Sequence, residues 1–328
     1  MKASRMSFFL AVDAGGTKTD YALADDSREL ARVRGDTIKR LRADADTAAR
    51  NLDHALAELA ARAGVPMHAI TRTCVGAAGE SVPLVADWLR DAFSARVSGD
   101  LLLLGDVEIA LDAAFPGQPG ILALAGTGSN VAGRSHSGQL TNAGGWGPAL
   151  ADQGSGHRIG SEGLRAAFLA IDEATGQMAQ EGEVAQKEVK ETPTLLLPAI
   201  MEFWSLASID HLIEYANSAP APDFSRLTSV VLACATQGDA VALSVLKQEG
   251  EDLAHLVNLV ARRLQRLAPD PSWVPPLAFA GGILEKVAPL RQALVAAVRA
   301  EFPSIQVREG VVDPIAGAIW RARANPPA

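Results

Sequence analysis

Two glycine-rich segments between apolar runs carry residue types that suit the binding of phosphate. In residues 8–25, a run typical of a buried strand leads into DAGGTKTD, and an alternating run follows. Glycines let backbone N–H groups approach a phosphate, and Asp13 at the strand end suits a Mg²⁺ ion that screens it. Residues 120–134, GILALAGTGSNVAGR, repeat this arrangement. The first segment alone also fits an ordinary hairpin with a glycine turn, whereas the repeat favours two related halves facing one nucleotide.

Asp106 lies where an apolar run at 101–104 gives way to a helical pattern at 107–115. In open α/β sheets, ligands gather at the carboxyl ends of strands. A carboxylate there could accept the proton of an attacking hydroxyl. The same position also fits a helix cap, because Asp is a favoured N-cap residue. The local sequence leaves both roles open.

Two later segments are also rich in glycine. Residues 142–163, NAGGWGPALADQGSGHRIGSEG, include Trp146 and Asp152. They predict an irregular loop that lines a site, followed by a helix at 161–172. Residues 277–300 are typical of a strand, a Gly-Gly pair and a helix from 283. The pair would let a flat ligand lie against the backbone, or would only permit close packing of strand and helix.

Elsewhere the apolar periodicity predicts helices, with a buried strand at 70–77. The charged segment 175–191 is interpreted as a solvated helix or surface segment, and no function is assigned to it. The other predicted helices are residues 47–63, 82–95, 195–216, 227–235, 240–267 and 315–324.

Length and composition narrow the class of protein. A chain of 328 residues favours two domains, and the turn-rich FPGQPG at 115–120 is the predicted boundary. The net charge of −8 argues against nucleic acid and anionic membrane as partners. The apolar run before Asp13 is too short for a signal-peptide core and no segment approaches membrane-spanning length, so a cytoplasmic protein is expected. Cys74 and Cys234 lie in apolar surroundings and are interpreted as core residues.

The ordered motifs resemble a known family. Together they are similar to the sugar-kinase branch of the actin/hexokinase/Hsp70 superfamily, and most closely to the BadF/BadG/BcrA/BcrD family and its N-acetylglucosamine kinase members. The resemblance covers nearly the whole chain. The matching segments are Asp13–Thr19 (DAGGTKT), Ala125–Asn130 (AGTGSN), Gly144–Gly147 (GGWG) with Asp152–Ser155 (DQGS), Ala280–Ile283 (AGGI) and Asp313–Ala318 (DPIAGA).

The resemblance implies an α/β fold with two actin-like (ribonuclease H-like) domains and an ATP cleft between them. The N-terminal domain would span residues 1–117 and the C-terminal domain residues 118–312. A final helix at about 313–326 would pack back on the N-terminal domain. The family also implies a homodimer.

The resemblance further implies transfer of phosphate from ATP to the primary hydroxyl of an amino sugar. Asp106 falls at the family's catalytic-base position, and Asp13 would position Mg²⁺. The residues that would contact ATP are Gly15, Gly16, Thr17, Lys18, Thr127, Gly128, Ser129, Gly281 and Gly282. Those that would contact the sugar are Thr127, Asn130, Gly145, Trp146 and Asp152.

The sequence departs from the family in the loop at 37–42, TIKRLR, which lacks the asparagine that often contacts the sugar. One interpretation is a solvated basic loop. The other is that Lys39, Arg40 or Arg42 meets an anionic substituent, such as the lactyl carboxylate of N-acetylmuramic acid. Glucosamine, N-acetylglucosamine and N-acetylmuramic acid all remain open as acceptors.

Two other functions are compatible with the superfamily. One is an ATP-driven activator of a 2-hydroxyacyl-CoA dehydratase or benzoyl-CoA reductase, which needs two suitably placed cysteines per subunit for a shared iron–sulfur cluster. Cys74 and Cys234 have poor spacing for that role. The other is a non-catalytic sugar sensor, but no basic helix-turn-helix precedes Phe8 and the net charge is negative.

Overall fold

The computed structural model describes residues 6–40, 42–80, 82–180 and 193–324, with side chains described up to residue 175 in the third range. The segment expected to be a solvated helix at 175–191 therefore lies mostly outside the described residues. The same holds for Leu41 of the basic loop and for the end of the final helix beyond Ala324.

The first sheet is built around the first glycine hairpin. The central strand β1 pairs antiparallel with β2 and parallel with β4, and the five strands lie in the order β3-β2-β1-β4-β5. The apolar residues of β1 are buried on both faces, as expected for a central strand. Its strands are β1 (Phe8–Ala14), β2 (Lys18–Ala24), β3 (Glu29–Asp36), β4 (Ile70–Ala77) and β5 (Asp100–Leu104), and the helices α1 (Ala45–Ala63) and α2 (Pro83–Ser94) belong to this half.

The second sheet repeats the arrangement of the first around the second glycine hairpin. Its strands are β6 (Gly120–Ala125), β7 (Ser129–Arg134), β8 (Leu140–Gly144) and β9 (Leu277–Ala280). They lie in the order β8-β7-β6-β9, with β6 antiparallel to β7 and parallel to β9. A hairpin followed by a parallel strand therefore occurs in both halves, as the repeated motif predicts.

The helices of the second half surround this sheet. They are α4 (Gly156–Gln180), α5 (Leu196–Phe203), α6 (Ile209–Ala216), α7 (Thr228–Thr236), α8 (Ala240–Arg266), α9 (Gly282–Lys286) and α10 (Ala288–Glu301). The longest, α8, begins at the cap residue Asp239, whose side chain accepts a hydrogen bond from the backbone of Ala242. Its buried face joins α10 and the sheet in one apolar core.

Two helices connect the halves: α3 (Asp106–Ala114) and α11 (Pro314–Arg323). α3 contributes Leu111 to a core with the second sheet, while its Ile109 packs with the first sheet and α11. The two helices cross in contact, because a Cβ on Gly317 would lie 1.8 Å from the carbonyl oxygen of Ile109. α11 covers the first sheet through Ile315 and Ile319.

Three predicted helices have different bounds in the structure. The helix expected at 161–172 begins at Gly156, because its glycines serve packing rather than a loop: a Cβ on Gly160 would lie 1.9 Å from the carbonyl oxygen of Phe224. The helix expected at 195–216 is two helices, separated where Ser205 adopts a φ of +56°. The helix expected at 283–300 is also two, with the break at Val287.

Two strands were not predicted. β3, with the sequence ELARVRGD, and β8, LTNAG, lie at the outer edges of their sheets and carry polar residues. Edge strands expose one backbone side and often one face, so they lack the continuous apolar run that marks a central strand.

Both cysteines are buried, which agrees with the core interpretation. Cys74 lies in β4 and Cys234 in α7, within different apolar clusters, and neither forms a disulfide. Within the described ranges, no helix is both long enough and apolar enough to span a bilayer.

Candidate active site

The tip of the first hairpin is a tight turn with an open outer side. A Cβ on Gly15 would lie 2.8 Å from the carbonyl oxygen of Lys18, so a side chain there would press against the tip. A Cβ on Gly16 would meet nothing within 4 Å, and Thr17 and Lys18 are exposed. The tip therefore presents the open side of Gly16 and two polar side chains to a ligand.

Asp13 lies at the end of β1, opposite Asp20 of β2 and beside Gly76 of β4. Burial, followed by the negative charges of Asp106, Asp20 and Asp313, raises the pKa of Asp13 to about 7, while Lys18 acts in the opposite direction. Such a concentration of acids at a strand end favours a bound cation.

These acids fit the Mg²⁺ ion that the family implies, but only as part of its coordination. Among the described residues, no three or more His, Cys, Asp or Glu side chains are grouped as ligands of one metal ion. Mg²⁺ is often bound by one or two carboxylates together with substrate phosphates, and that arrangement matches a single acid such as Asp13.

Asp106 is the first residue of α3 and follows β5 directly. The N-cap position is taken by Gly105, so the capping role considered for Asp106 is wrong in detail. Its Oδ1 accepts a hydrogen bond from the backbone N–H of Val107 at 2.9 Å. Burial raises the pKa of Asp106, and the charge of Glu80 acts in the same direction. The hydrogen bond from the Val107 N–H and the charge of Lys39 lower that pKa. Part of the residue remains accessible to solvent.

The tip of the second hairpin is tied to the start of α4. The N–H of Gly156 donates to the carbonyl oxygen of Gly126 at 2.8 Å, and the N–H of His157 donates to that of Thr127 at 3.4 Å. Gly128 at the tip is exposed. The AGTGSN and DQGS motifs, about twenty residues apart in sequence, are thus parts of one structure.

Asp152 is buried against this tip. Its Oδ1 accepts a hydrogen bond from the N–H of Ser129 at 2.8 Å, with the Ser129 hydroxyl at 3.5 Å. Burial raises the pKa of Asp152, and the hydrogen bonds from Ser129 and Ser155 oppose that effect. The carboxylate therefore holds the second hairpin in place in addition to any contact with a ligand.

Asn130 and Gly145 are in contact across β7 and β8. Gly145 has a φ of +76°, and a Cβ on it would lie 2.8 Å from Nδ2 of Asn130, so this position requires glycine. The Oδ1 of Asn130 is buried and, among the described residues, has no hydrogen-bond partner. A buried acceptor without a partner is costly, and it indicates a ligand donor or an ordered water. Trp146, in contrast, is 72 % exposed on the adjacent turn.

The two glycines of the AGGI motif have different roles. Gly281 has a φ of +91°, and a Cβ on it would lie 2.2 Å from the carbonyl oxygen of Ala125. It is therefore required for packing against the end of β6. A Cβ on Gly282 would meet nothing within 4 Å. Of the two alternatives raised by the sequence, close packing fits Gly281, and an open surface for a flat ligand fits Gly282.

The basic loop after β3 is anchored to the first hairpin. The Thr37 hydroxyl donates to the carbonyl oxygen of Gly15 at 2.9 Å, and Nδ2 of Asn51 donates to that of Thr37 at 2.9 Å. Lys39 is half-buried, whereas Arg42 is exposed. Nη1 of Arg40 donates to the carbonyl oxygen of Ala43 within its own loop. The solvated-loop interpretation therefore fits Arg42, whereas Lys39 is only partly exposed.

A model of the BadF/BadG/BcrA/BcrD ATPase family matches residues 10–322. The chain belongs to this family. It is 25 % identical over 327 residues to the N-acetylmuramic acid/N-acetylglucosamine kinase of Clostridium acetobutylicum, covering 98 % of this chain and 99 % of the relative. It is 24 % identical over 326 residues to the N-acetyl-D-glucosamine kinase of Dictyostelium discoideum, covering 94 % and 96 %.

Solved structures share the fold of this BadF/BadG/BcrA/BcrD chain. A crystal structure of a "Putative N-acetylglucosamine Kinase" from Chromobacterium violaceum is 26 % identical, with a TM-score of 0.67 and coverage of 96 % of this chain and 98 % of that one. A ROK family glucokinase from Streptomyces griseus, at 17 % identity, has a TM-score of 0.55 and coverage of 98 % and 99 %. The predicted α/β class with two actin-like domains is confirmed. The boundary at 117/118 stays a prediction.

Sequence patterns gave no supporting role to two acids, Glu249 and Asp313, that act on segments of the site in the structure. Glu249 of α8 is buried, and its Oε2 accepts from the N–H of Gly154 at 2.8 Å while its Oε1 accepts from Nε of Arg158 at 3.2 Å. These bonds hold the turn that carries Asp152. Asp313 caps α11 through the N–H of Ile315 and adds its charge at Asp13. The local sequence does not indicate these roles, because each acid acts on a segment far away in sequence.

The cysteines do not support the alternative that the protein is an ATP-driven activator with an iron–sulfur cluster. Iron–sulfur clusters are held by thiolates, whereas burial raises the pKa of Cys74 to about 12 and also raises that of Cys234. The two side chains lie in separate cores.

Proposed function

We propose that this protein transfers the γ-phosphoryl group of ATP to the primary hydroxyl of an amino sugar. The observation that carries the proposal is the grouping of Asp106 and Asp13 at the strand ends of the first sheet, where their charges interact. The tip of the first hairpin lies beside them and has open backbone at Gly16. The kinase names of the two relatives support the same reaction.

Asp106 acts as the general base. Its carboxylate accepts the proton of the sugar hydroxyl while that oxygen attacks the γ-phosphorus, and the bond from phosphorus to the β–γ bridging oxygen breaks to release ADP. A pKa raised by burial suits this role, because proton transfer is most efficient when the pKa of the base approaches the working pH. The protein contributes mainly positioning and charge stabilisation.

The two hairpin tips hold the phosphates of ATP. This role belongs to the tip residues Gly15, Gly16, Thr17, Lys18, Thr127 and Gly128, while Ser129 keeps its N–H bonded to Asp152. Gly282 lies against the adenosine, and Gly281 packs against the end of β6. Asp13 would hold Mg²⁺ together with phosphate oxygens, and the ion would neutralise phosphate charge. Closure of domains 1–117 and 118–312 around the ligands would exclude water as a competing acceptor.

The sugar lies against the second sheet. The buried Oδ1 of Asn130, which no described residue satisfies, accepts a hydrogen bond from a sugar hydroxyl or amide N–H. Thr127, Gly145 and Asp152 complete this side of the site. Trp146, 72 % exposed, would reach the sugar only when the cleft closes.

The test is ADP release with ATP, Mg²⁺ and each of glucosamine, N-acetylglucosamine, N-acetylmuramic acid, glucose or no sugar. Asp106→Asn is expected to lower kcat by roughly 10²- to 10⁴-fold while ATP affinity is retained, because only the base is lost. Asp100→Asn, an exposed acid at the start of β5, is the matched control and should leave the rate unchanged. Rates that are independent of every sugar, or equal in Asp106→Asn and wild type, would reject the kinase.

A further inference from the structure

The backbone of Lys39 is hydrogen-bonded within the loop that follows β3. The Thr37 hydroxyl, which bonds to Gly15 at the first hairpin tip, accepts the N–H of Lys39 at 3.1 Å. The carbonyl oxygen of Lys39 accepts the N–H groups of Arg42 and Ala43, at 2.8 and 3.0 Å. The backbone at Lys39 is thus fixed to the phosphate hairpin through Thr37.

The Lys39 side chain is half-buried, and charges from both halves of the protein act on it. Its charge interacts with Asp106 at the start of α3 and with Asp152 beside the second hairpin. Burial lowers the pKa of Lys39, so its ammonium group has lost part of its hydration. No carboxylate of the described residues lies within ion-pair distance of it. Partial burial of an ammonium group without a direct partner costs desolvation free energy, and a bound anion would offset that free energy.

The position of Lys39 favours the acceptor sugar as the source of that anion. Asp106 is the proposed base for the attacking hydroxyl, and Asp152 belongs to the proposed sugar side of the second sheet. Lys39 is close enough to both for their charges to act on its pKa. The ATP phosphates have their own donors at the hairpin tips. Arg42 is exposed, although its charge also acts on Lys39, and Arg40 bonds within its own loop.

We propose that Lys39 binds a carboxylate carried by the acceptor, so that this protein selects an acidic amino sugar of the N-acetylmuramic acid type. This inference rests on the proposed function and names its substrate class. Lys39 is then the specificity-determining residue. A hydrogen bond to a charged group contributes enough to favour the acidic sugar over an uncharged analogue by roughly 10- to 100-fold.

The experiment compares N-acetylmuramic acid with its methyl ester, which lacks the charge and is larger by one methyl group. The measured quantity is the ratio of kcat/KM for the acid to that for the ester, because any effect of Lys39 on Asp106 acts on both sugars and cancels. Lys39→Met should lower this ratio by roughly 10- to 100-fold, and Lys39→Arg should restore most of it. Arg42→Met, which removes the same charge from an exposed position of the loop, should leave the ratio within about threefold of wild type.

Equilibrium binding of both sugars by calorimetry separates this inference from the proposed function. If wild type binds the acid in a Lys39-dependent way but phosphorylates no sugar, the kinase proposal fails and the role of Lys39 stands. If wild type phosphorylates N-acetylglucosamine and Lys39→Met leaves the ratio of acid to ester unchanged in both binding and kinetics, the kinase stands and the role of Lys39 is overturned. Equal losses for acid and ester also overturn it, since they would assign Lys39 to the base or the phosphates.

Discussion

The guanidinium of Arg134 donates to the carboxylate of Asp112 at 2.5 Å, which ties the second sheet to α3. The other oxygen of Asp112 accepts from Nε of Arg321 on α11 at 2.8 Å. Asp112 has no exposed surface, so one buried carboxylate joins the second sheet and the two helices between the halves. If the two halves move relative to each other, the ion pairs of Asp112 with Arg134 and Arg321 either move as one group or break.

Asp112→Asn is expected to destabilise the protein strongly. The substitution leaves Arg134, only 5 % exposed, without its charge partner, and breaking a buried pair in this way costs about 3–5 kcal/mol. The measurement is the midpoint of urea unfolding. Glu58→Gln, which breaks an exposed ion pair with Arg62 on α1, is the control and should cost less than about 1 kcal/mol. Equal shifts for the two variants would contradict a structural role for the buried group.

The pH dependence of kcat/KM should report the environment of Asp106. The base must be ionised, so the rate is lost as pH falls through its pKa, and burial places that pKa above the ordinary value of 3.8. Removal of the Lys39 charge takes away a group that lowers the pKa of Asp106. The acidic limb in Lys39→Met should therefore move to higher pH, measured with N-acetylglucosamine, which carries no charge of its own. An acidic limb at the same pH in Lys39→Met and wild type would refute this coupling.

Gly281→Ala and Gly282→Ala form a pair that separates packing from ligand contact. Alanine at 281 would meet the carbonyl oxygen of Ala125 at 2.2 Å and would have to adopt a φ of +91°, so the free protein should unfold at clearly lower urea. Alanine at 282 meets nothing within 4 Å and should leave the unfolding midpoint nearly unchanged. If ATP lies against Gly282, that variant should instead raise the KM for ATP. An unchanged KM for ATP in Gly282→Ala would remove Gly282 from the nucleotide site.

Glu249→Gln should weaken sugar binding without affecting ATP. The substitution replaces one of the two acceptor oxygens that hold Gly154 and Arg158 with an N–H₂ group, so the turn carrying Asp152 loses its support. The KM for the sugar should rise by roughly tenfold while the KM for ATP stays the same, in steady-state kinetics with each substrate varied. Glu251→Gln on the same helix, where the acid is much more exposed, is the control. A similar rise in the KM for the sugar and the KM for ATP would contradict this prediction, because it would indicate a general loss of structure rather than a local change at the turn that carries Asp152.

The local sequence was sufficient to predict those helices and strands whose apolar pattern lies within the element itself. The central strand at 70–77 and helices such as 240–267 follow from continuous apolar runs and helical periodicity, and the structure has them within a residue or so. The two glycine hairpins were found because the motif occurs twice. The edge strand β3 and the glycine-containing start of α4 were not predicted. Polar edge strands and glycines that serve packing have the residue composition of loops.

The sequence by itself determined the α/β class, the two hairpins and the chemical nature of Asp13 and Asp106. Only the tertiary structure decided which distant residues act on one another. The charge of Asp313 acts on Asp13, Glu249 bonds to the turn of Asp152, and acids from both halves act on Lys39. The physical reason is that periodicity and turn chemistry act over a few residues, whereas the energy of a buried charge depends on every group that the fold packs around it.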